Sequence, residues 1–258
     1  MNNKNINILR IALFFVSATL LSALFRYRIM TISMLSDRIP TWINDLGTAL
    51  LTGVGVWVAA IVARKWLRQQ RKTQISLLGD EPLLSILMSL LPILLLTIMG
   101  VQNPYSVPIH LWGVTAITAT LLYCVLEEYG WRGYLQEELK FLKPWIRYSL
   151  IGLIWYIWHL SFLGDPSALS VLTGLGMLIL ASWGIGQLAL LTHSILVVAC
   201  FHLLIQIMFF NAFFRELLTG RDKLIIFTIL LVGWLILLKL WQKKSDEKDL
   251  LLNTEFQE

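Results

Sequence analysis

An all-helical transmembrane bundle of about eight spans is the fold this sequence predicts, and three observations predict it. The 258 residues are 57% hydrophobic and only 14% charged, with a mean hydropathy of +0.71, whereas a soluble domain averages about 25% charged residues. The apolar residues gather in runs long enough to cross roughly 30 Å of hydrocarbon as helices. Lys and Arg, finally, are shared very unevenly among the connections between those runs.

Taken in order, the runs cover 6–25, 46–63, 83–101, 109–127, 148–163, 168–191, 193–211 and 223–242. Lys4 and Arg10 precede the apolar stretch of the first, but no small-residue cleavage site stands before Arg26, so it reads as a retained helix and not a signal peptide. The second run ends in RKWLRQQRK (64–72), which has five basic residues and no acidic one. Pro92 lies inside the third run, where neighbouring helices tolerate a kink. NPYSVP (103–108) is a short turn into the fourth. The fifth run is short for a span, and only Thr192-His193 separates the sixth from the seventh. The tail SDEKDLLLNTEFQE is polar and reads as frayed.

Eight crossings put both termini on one side. The connections on that side, with the tail, carry fifteen of the twenty-one Lys and Arg residues. The positive-inside bias makes that side cytoplasmic. The net charge of +5 reflects this bias and gives no reason to expect a nucleic-acid partner. Cys124 and Cys200 lie in apolar runs without CxxC spacing and read as buried thiols. Three regions follow: a scaffold over 1–108 whose span interiors lack ionisable side chains, a polar-bearing core over 109–211, and a last span with its tail over 212–258.

Charged groups deep in a bilayer cost about 2.5–3.5 kcal/mol on insertion scales, so those present face the bundle interior and have a task. Here they sit in three phrases: VLEEYGWRGYLQEEL (125–139), WYIWHLSF (155–162) and HSILVVACFHLLIQ (193–206). In a continuous helix Glu128 and Arg132 form an i, i+4 pair in the favourable order. Glu127 points about 100° away from Glu128. The doublet therefore divides into a brace, Glu128 with Arg132, and a free acid, Glu127, turned toward His159 and His202. A carboxylate can take a proton from water, and an imidazole can orient that water or donate to a developing oxyanion. Gln206, one turn beyond His202, can donate to the same oxyanion. Trp155 and Trp158 read as packing or interface residues, and His110 and His193 fall outside the set. The reading requires three spans to converge so that Glu127 meets both imidazoles around one small wet cavity. It places both histidines on the cytoplasmic half.

EEYGWRGYL resembles the EExxxR motif of the CPBP intramembrane proteases, also called the CAAX protease and bacteriocin-processing, or Abi, family. WYIWHLSF is similar to that family's aromatic helix bearing a His, and SILVVACFHLLIQ to its later His followed four residues on by Asn. The resemblance covers about 110–210. It implies an integral, multi-pass membrane endopeptidase, here in a bacterial plasma membrane, acting on a membrane-associated or prenylated peptide or protein. It further implies that Glu127 activates water with His159, that Glu128 and Arg132 support it, and that His202 stabilises the oxyanion. The family's Asn is Gln206 here, one methylene longer. One Glu and two His (Glu127, His159, His202) form a legitimate Zn²⁺ ligand set with water in the open position, and the same residues serve metal-free acid/base catalysis. HExxH is absent. Two other readings stay open: an inactive family member serving bacteriocin immunity or scaffolding, and a proton- or ion-coupled transporter.

Overall fold

A computed structural model describes residues 8–66 and 74–255. Lys4, Arg68, Arg71 and Lys72, counted above in the basic connections, lie outside the described residues, as does the end of the tail. Eight main helices follow one another: α1 Ile8–Arg26, α2 Thr41–Trp66, α3 Pro82–Met99, α4 Ile109–Glu138, α5 Pro144–His159, α6 Ala168–Thr192, α7 Ile195–Phe210 and α8 Gly220–Glu255. Among the described residues no strand forms beyond an isolated bridge between Ser76 and Ser194. Helices are the expected answer, because a chain in hydrocarbon must satisfy its backbone groups within each segment.

Six of these helices, α1 to α4, α6 and α8, are long and apolar enough to cross a membrane. Leu169, Leu180 and Trp183 on α6 are among the many large apolar side chains left exposed. Water would not tolerate so much apolar surface, but lipid does. The protein is an integral, multi-pass membrane protein. Helix starts carry local signals: Pro82 and Pro144 occupy first-turn positions, and Ser167 and Ser194 cap α6 and α7. Close crossings depend on missing side chains. A Cβ on Gly113 would stand 2.4 Å from the Leu96 carbonyl oxygen of α3, and one on Gly130 would stand 2.4 Å from Val56 of α2.

Contacts between helix ends sort the bundle into two ends. At the first, Arg10 pairs with Glu138 at 3.4 Å, His193 with Asp80 at 2.7 Å and Lys244 with Glu81 at 3.3 Å. At the second, Arg28 pairs with Asp45 at 3.0 Å, Tyr105 donates to Asp45 at 2.7 Å, and Arg26 donates to the Trp158 carbonyl. The start of α1 and the later half of α8 share the first end.

Several boundaries differ from expectation. The fourth helix does not stop at 127. It continues through a π-helical turn, Trp131–Leu135, to Glu138, and residues 130–139 are buried. Its charges stay inside because neighbours receive them: Arg10 meets Glu138, and Lys140 meets Glu137 at 3.2 Å. Arg10 is itself buried in α1, so the first region does contribute an ionisable group to the interior. The fifth helix starts earlier, at Pro144, and ends at His159. The tail, expected to fray from Ser245, continues as helix to Glu255.

Candidate active site

Three helices carry the candidate groups, though not to one depth. At 1.5 Å per residue, Glu127 lies about 16 Å along α4 from Glu138, and His202 about 10 Å along α7 from Ile195. His159 is the last residue of α5, about 22 Å from Pro144. It therefore lies toward the second end, beside the Arg26–Trp158 contact, and not on the half expected for both histidines. The expected start at Tyr148 was too late by one turn, and Pro144 supplies that turn.

Trp155 organises the site. Its indole N–H donates to Glu127 Oε2 at 3.2 Å, and Trp131 Nε1 donates to the same oxygen at 3.2 Å. Its ring lies 4.7 Å from the Arg132 guanidinium carbon, 5.7 Å from the His159 ring and 5.1 Å from the His202 ring. Trp155, expected as a packing or interface residue, also hydrogen-bonds the acid, because a buried indole N–H needs an acceptor. Trp158 does pack, donating to the Ala18 carbonyl at 3.3 Å with its ring against Arg26 and His159.

The doublet divides as its 100° separation requires, though with one addition. Glu127 and Glu128 are both fully buried. Glu128 pairs with Arg132 at 3.0 Å, and it also lies 2.9 Å from His202 Nδ1. That second approach is close but not aligned as a hydrogen bond. Glu128 therefore joins the arginine to the second histidine, a link the i, i+4 spacing does not reveal. Glu127 has two indole donors on Oε2, while Oε1 is buried with no hydrogen-bond partner among the described residues. Neither imidazole bonds directly to Glu127 among the described residues; Trp155 stands against all three.

Proton positions follow from the acceptors. His159 Nδ1 lies 2.8 Å from the Trp155 carbonyl oxygen. A carbonyl only accepts, so Nδ1 carries the proton and Nε2 keeps its lone pair. His202 Nε2 lies 3.2 Å from Gln206 Nε2. In the resting protein the amide donates to the ring. With Nε2 protonated, the two nitrogens become a pair of donors side by side. Gln206 opens a second π-helical turn, Gln206–Phe210, and its longer side chain still reaches the ring. Such turns recur at functional sites.

Beside the site is a cavity of about 270 Å³, lined among others by Arg26, Thr52, Thr120, Tyr123, Gln206 and Asn211. It exists because α7 is short: the chain turns at Asn211, whose amide bonds Thr120 at 3.2 Å. Glu127 does not line it, but Tyr123, one turn earlier on α4, approaches that carboxyl from the cavity wall. Among the described residues no three His, Cys, Asp or Glu side chains converge to hold a metal. Glu127, His159 and His202 share a neighbour rather than a coordination centre, so no step below runs through a metal.

His110, at 2.8 Å from the Thr97 carbonyl, and His193, paired with Asp80, stand apart from the site, as expected. Sequence reasoning missed Trp131, Tyr123 and Arg26. The first two had a signal: Tyr123, Glu127 and Trp131 recur every four residues on one face of α4. Arg26 had none, since only folding brings the end of α1 to the end of α5.

Comparison with known proteins agrees with the motif reading. Residues 109–208 match the family model described as Rce1-like, type II CAAX prenyl endopeptidase Rce1-like. That stretch runs from the start of α4 into α7 and contains all six candidate residues. No curated protein and no solved structure matches the chain.

Proposed function

With an Rce1-like, protease-type domain at 109–208 as premise, we propose that the protein is an intramembrane endopeptidase in which Glu127 activates the attacking water. The buried, unpartnered Oε1 of Glu127 carries this reading. A carboxylate oxygen shut away from solvent without a donor is costly. A water bound there satisfies it and is held for deprotonation.

The chemistry follows from the geometry. Glu127 takes one proton from the water, while His159 Nε2 accepts a hydrogen bond from the O–H that remains and so orients the lone pair. The hydroxide oxygen bonds to the carbonyl carbon of the peptide, and the carbonyl oxygen becomes an oxyanion. Gln206 turns its amide N–H to it, and His202 does so after taking one proton from solvent on Nε2, which it gives back after turnover; Glu128 stands beside Nδ1. Glu127 then returns its proton to the leaving nitrogen, the C–N bond breaks, and a carboxylic acid and an amine result. The two indoles hold Glu127 in place throughout.

Entry of substrate is proposed from the second end. The cavity residues belong to the end of α1, the first halves of α2 and α4, and the turn after α7. That end is the one poorer in Lys and Arg, so under the positive-inside assignment it is not cytoplasmic. This replaces the expectation of a cytoplasmic-half site. The substrate is a membrane-associated peptide or protein. The test is turnover of a lipid-anchored fluorogenic peptide by purified wild-type and Glu127→Gln protein. Cleavage by the first alone supports the proposal; equal cleavage by both, or by neither, refutes it.

A further inference from the structure

A row of buried polar atoms runs from the site back toward the first end, and the hydrolytic steps leave it unused. Arg132 Nη1 takes both Glu128 oxygens, at 3.2 and 3.0 Å, while its Nε and Nη2 are buried with no hydrogen-bond partner among the described residues. Gln136, one turn on along α4, donates to the Gly186 carbonyl at 3.2 Å but leaves its Oε1 unbonded. The Tyr148 hydroxyl on α5 and Ser182 Oγ on α6 are also unbonded, although Arg147 approaches the phenol without alignment. All four of these side chains belong to residues at most 1% exposed. Gly186 shows how they converge. A Cβ there would stand 2.2 Å from the Tyr148 ring and 3.0 Å from Gln136 Oε1, and Ser182 is one turn earlier on the same face of α6. Arg132 lies against Trp155, two turns along the α5 face that carries Tyr148.

We propose that Arg132, Gln136, Tyr148 and Ser182 hold a buried cluster of water molecules that fixes Arg132 behind Glu128. The mixture of groups selects the ligand. Arg132 only donates and Gln136 Oε1 only accepts, whereas the two hydroxyls do both. An anion suits the guanidinium but meets the amide oxygen and the Glu128 carboxylate, and a cation meets Arg132. Water serves all of them, and buried polar groups without a partner are rare. Its effect on the site passes through Arg132. A guanidinium is planar, so water on Nε and Nη2 sets the plane in which Nη1 meets Glu128, and Glu128 stands 2.9 Å from His202 Nδ1. Arg147 extends the row outward. Its Nε is likewise buried and unbonded, and it donates to the carbonyls of Lys140 and Leu142 at the first end, where Lys140 is exposed. Water reaches the cluster from that end, opposite to the entry proposed for substrate. The hydration is independent of the endopeptidase reading above; its bearing on turnover rests on that reading.

Radiolytic hydroxyl labelling of the full chain in detergent, in water enriched in heavy oxygen, tests the cluster. Side chains that touch water are oxidised by radicals formed from it, even where bulk solvent does not reach. Trp234 is the control, equally buried but with its indole bonded to the Met88 carbonyl at 2.9 Å. Tyr148 is expected to take up heavy oxygen several times faster than Trp234. Gln136→Leu, which deletes the acceptor, brings Tyr148 down toward the control, and Gln136→Glu, which keeps an acceptor oxygen, does not. If Gln136→Leu does not fold, Ser182→Val carries the same expectation. Tyr148 labelled no faster than Trp234 in the wild type overturns the hydration. Turnover of the lipid-anchored peptide reads the positioning role. Gln136→Leu should lower kcat by roughly tenfold, about the worth of one hydrogen bond, with KM near wild type, and Gln136→Glu should recover part of it. Labelling as expected with unchanged kcat keeps the water and removes its positioning role. A wild type that labels Tyr148 but cleaves nothing refutes the endopeptidase reading, and the positioning role with it, and leaves the hydration in place.

Discussion

The first end of the bundle and the space beneath the cavity handle buried charge in opposite ways. At the first end three acids each meet a cation: Glu138 with Arg10, Glu137 with Lys140, Glu81 with Lys244. Arg64 there bonds Tyr129 at 3.1 Å and also the Gly133 carbonyl. Around the cavity, Glu127 keeps an oxygen without a donor and Arg26 has no acid. Burial alone does not separate the regions, since Arg10 and Glu127 are both almost wholly enclosed. Pairing does. The acids that tie helices together at the first end are matched by cations, whereas Glu127 has only indole donors, and only on one oxygen.

Substitutions can break or sharpen that contrast, and the largest expected effect is on stability. Arg10→Met removes the ion pair with buried Glu138 and should cost up to about 3–5 kcal/mol. Thermal unfolding in detergent would show the loss, while turnover per folded molecule is retained. Loss of turnover without loss of stability would mean the first end is not purely structural. His202→Ala should do the reverse. Removing one oxyanion donor costs about 10²–10³ in kcat, with a smaller shift in unfolding temperature. Trp155→Phe keeps the ring but removes one N–H from Glu127, worth about 1.5–3 kcal/mol for a charge-assisted bond. It should lower kcat more than it raises KM.

The smallest effect concerns Tyr105, outside the spans. Burial, and then the Asp45 carboxylate to which it donates, push its phenol from 10.0 up to about 12. Because the folded value is raised, the stabilisation from this contact is complete below pH 10 and is lost as pH rises through about 12. Tyrosinate absorbance should show one late-titrating phenol fewer in Tyr105→Phe than in wild type. An identical titration in both would contradict the contact.

How much of this was legible in the sequence differs between helices and site. Each of the eight apolar runs became a helix, because hydrocarbon leaves the backbone no alternative. The fourth boundary failed for a specific reason. Glu127 and the charges after it looked like the start of a loop, but Arg10 and Lys140, far and near in sequence, let the helix continue inside the protein. At the site, the spacing of Glu128 and Arg132 was readable because it is local. The Glu128–His202 approach, the two indoles on Glu127 and the place of Arg26 arise only when α1, α4, α5 and α7 meet. Aromatic residues are so common in membrane helices that Trp155 gave no warning of its hydrogen bond.

One side-by-side measurement probes the unmatched acid most directly: turnover of the lipid-anchored peptide by Glu127→Gln and Glu137→Gln proteins, each checked for a cooperative unfolding transition. The account predicts a fall of roughly 10²–10⁴-fold for the first, the usual worth of a general base, and near wild-type turnover for the second. Equal activity in the two folded variants would contradict it.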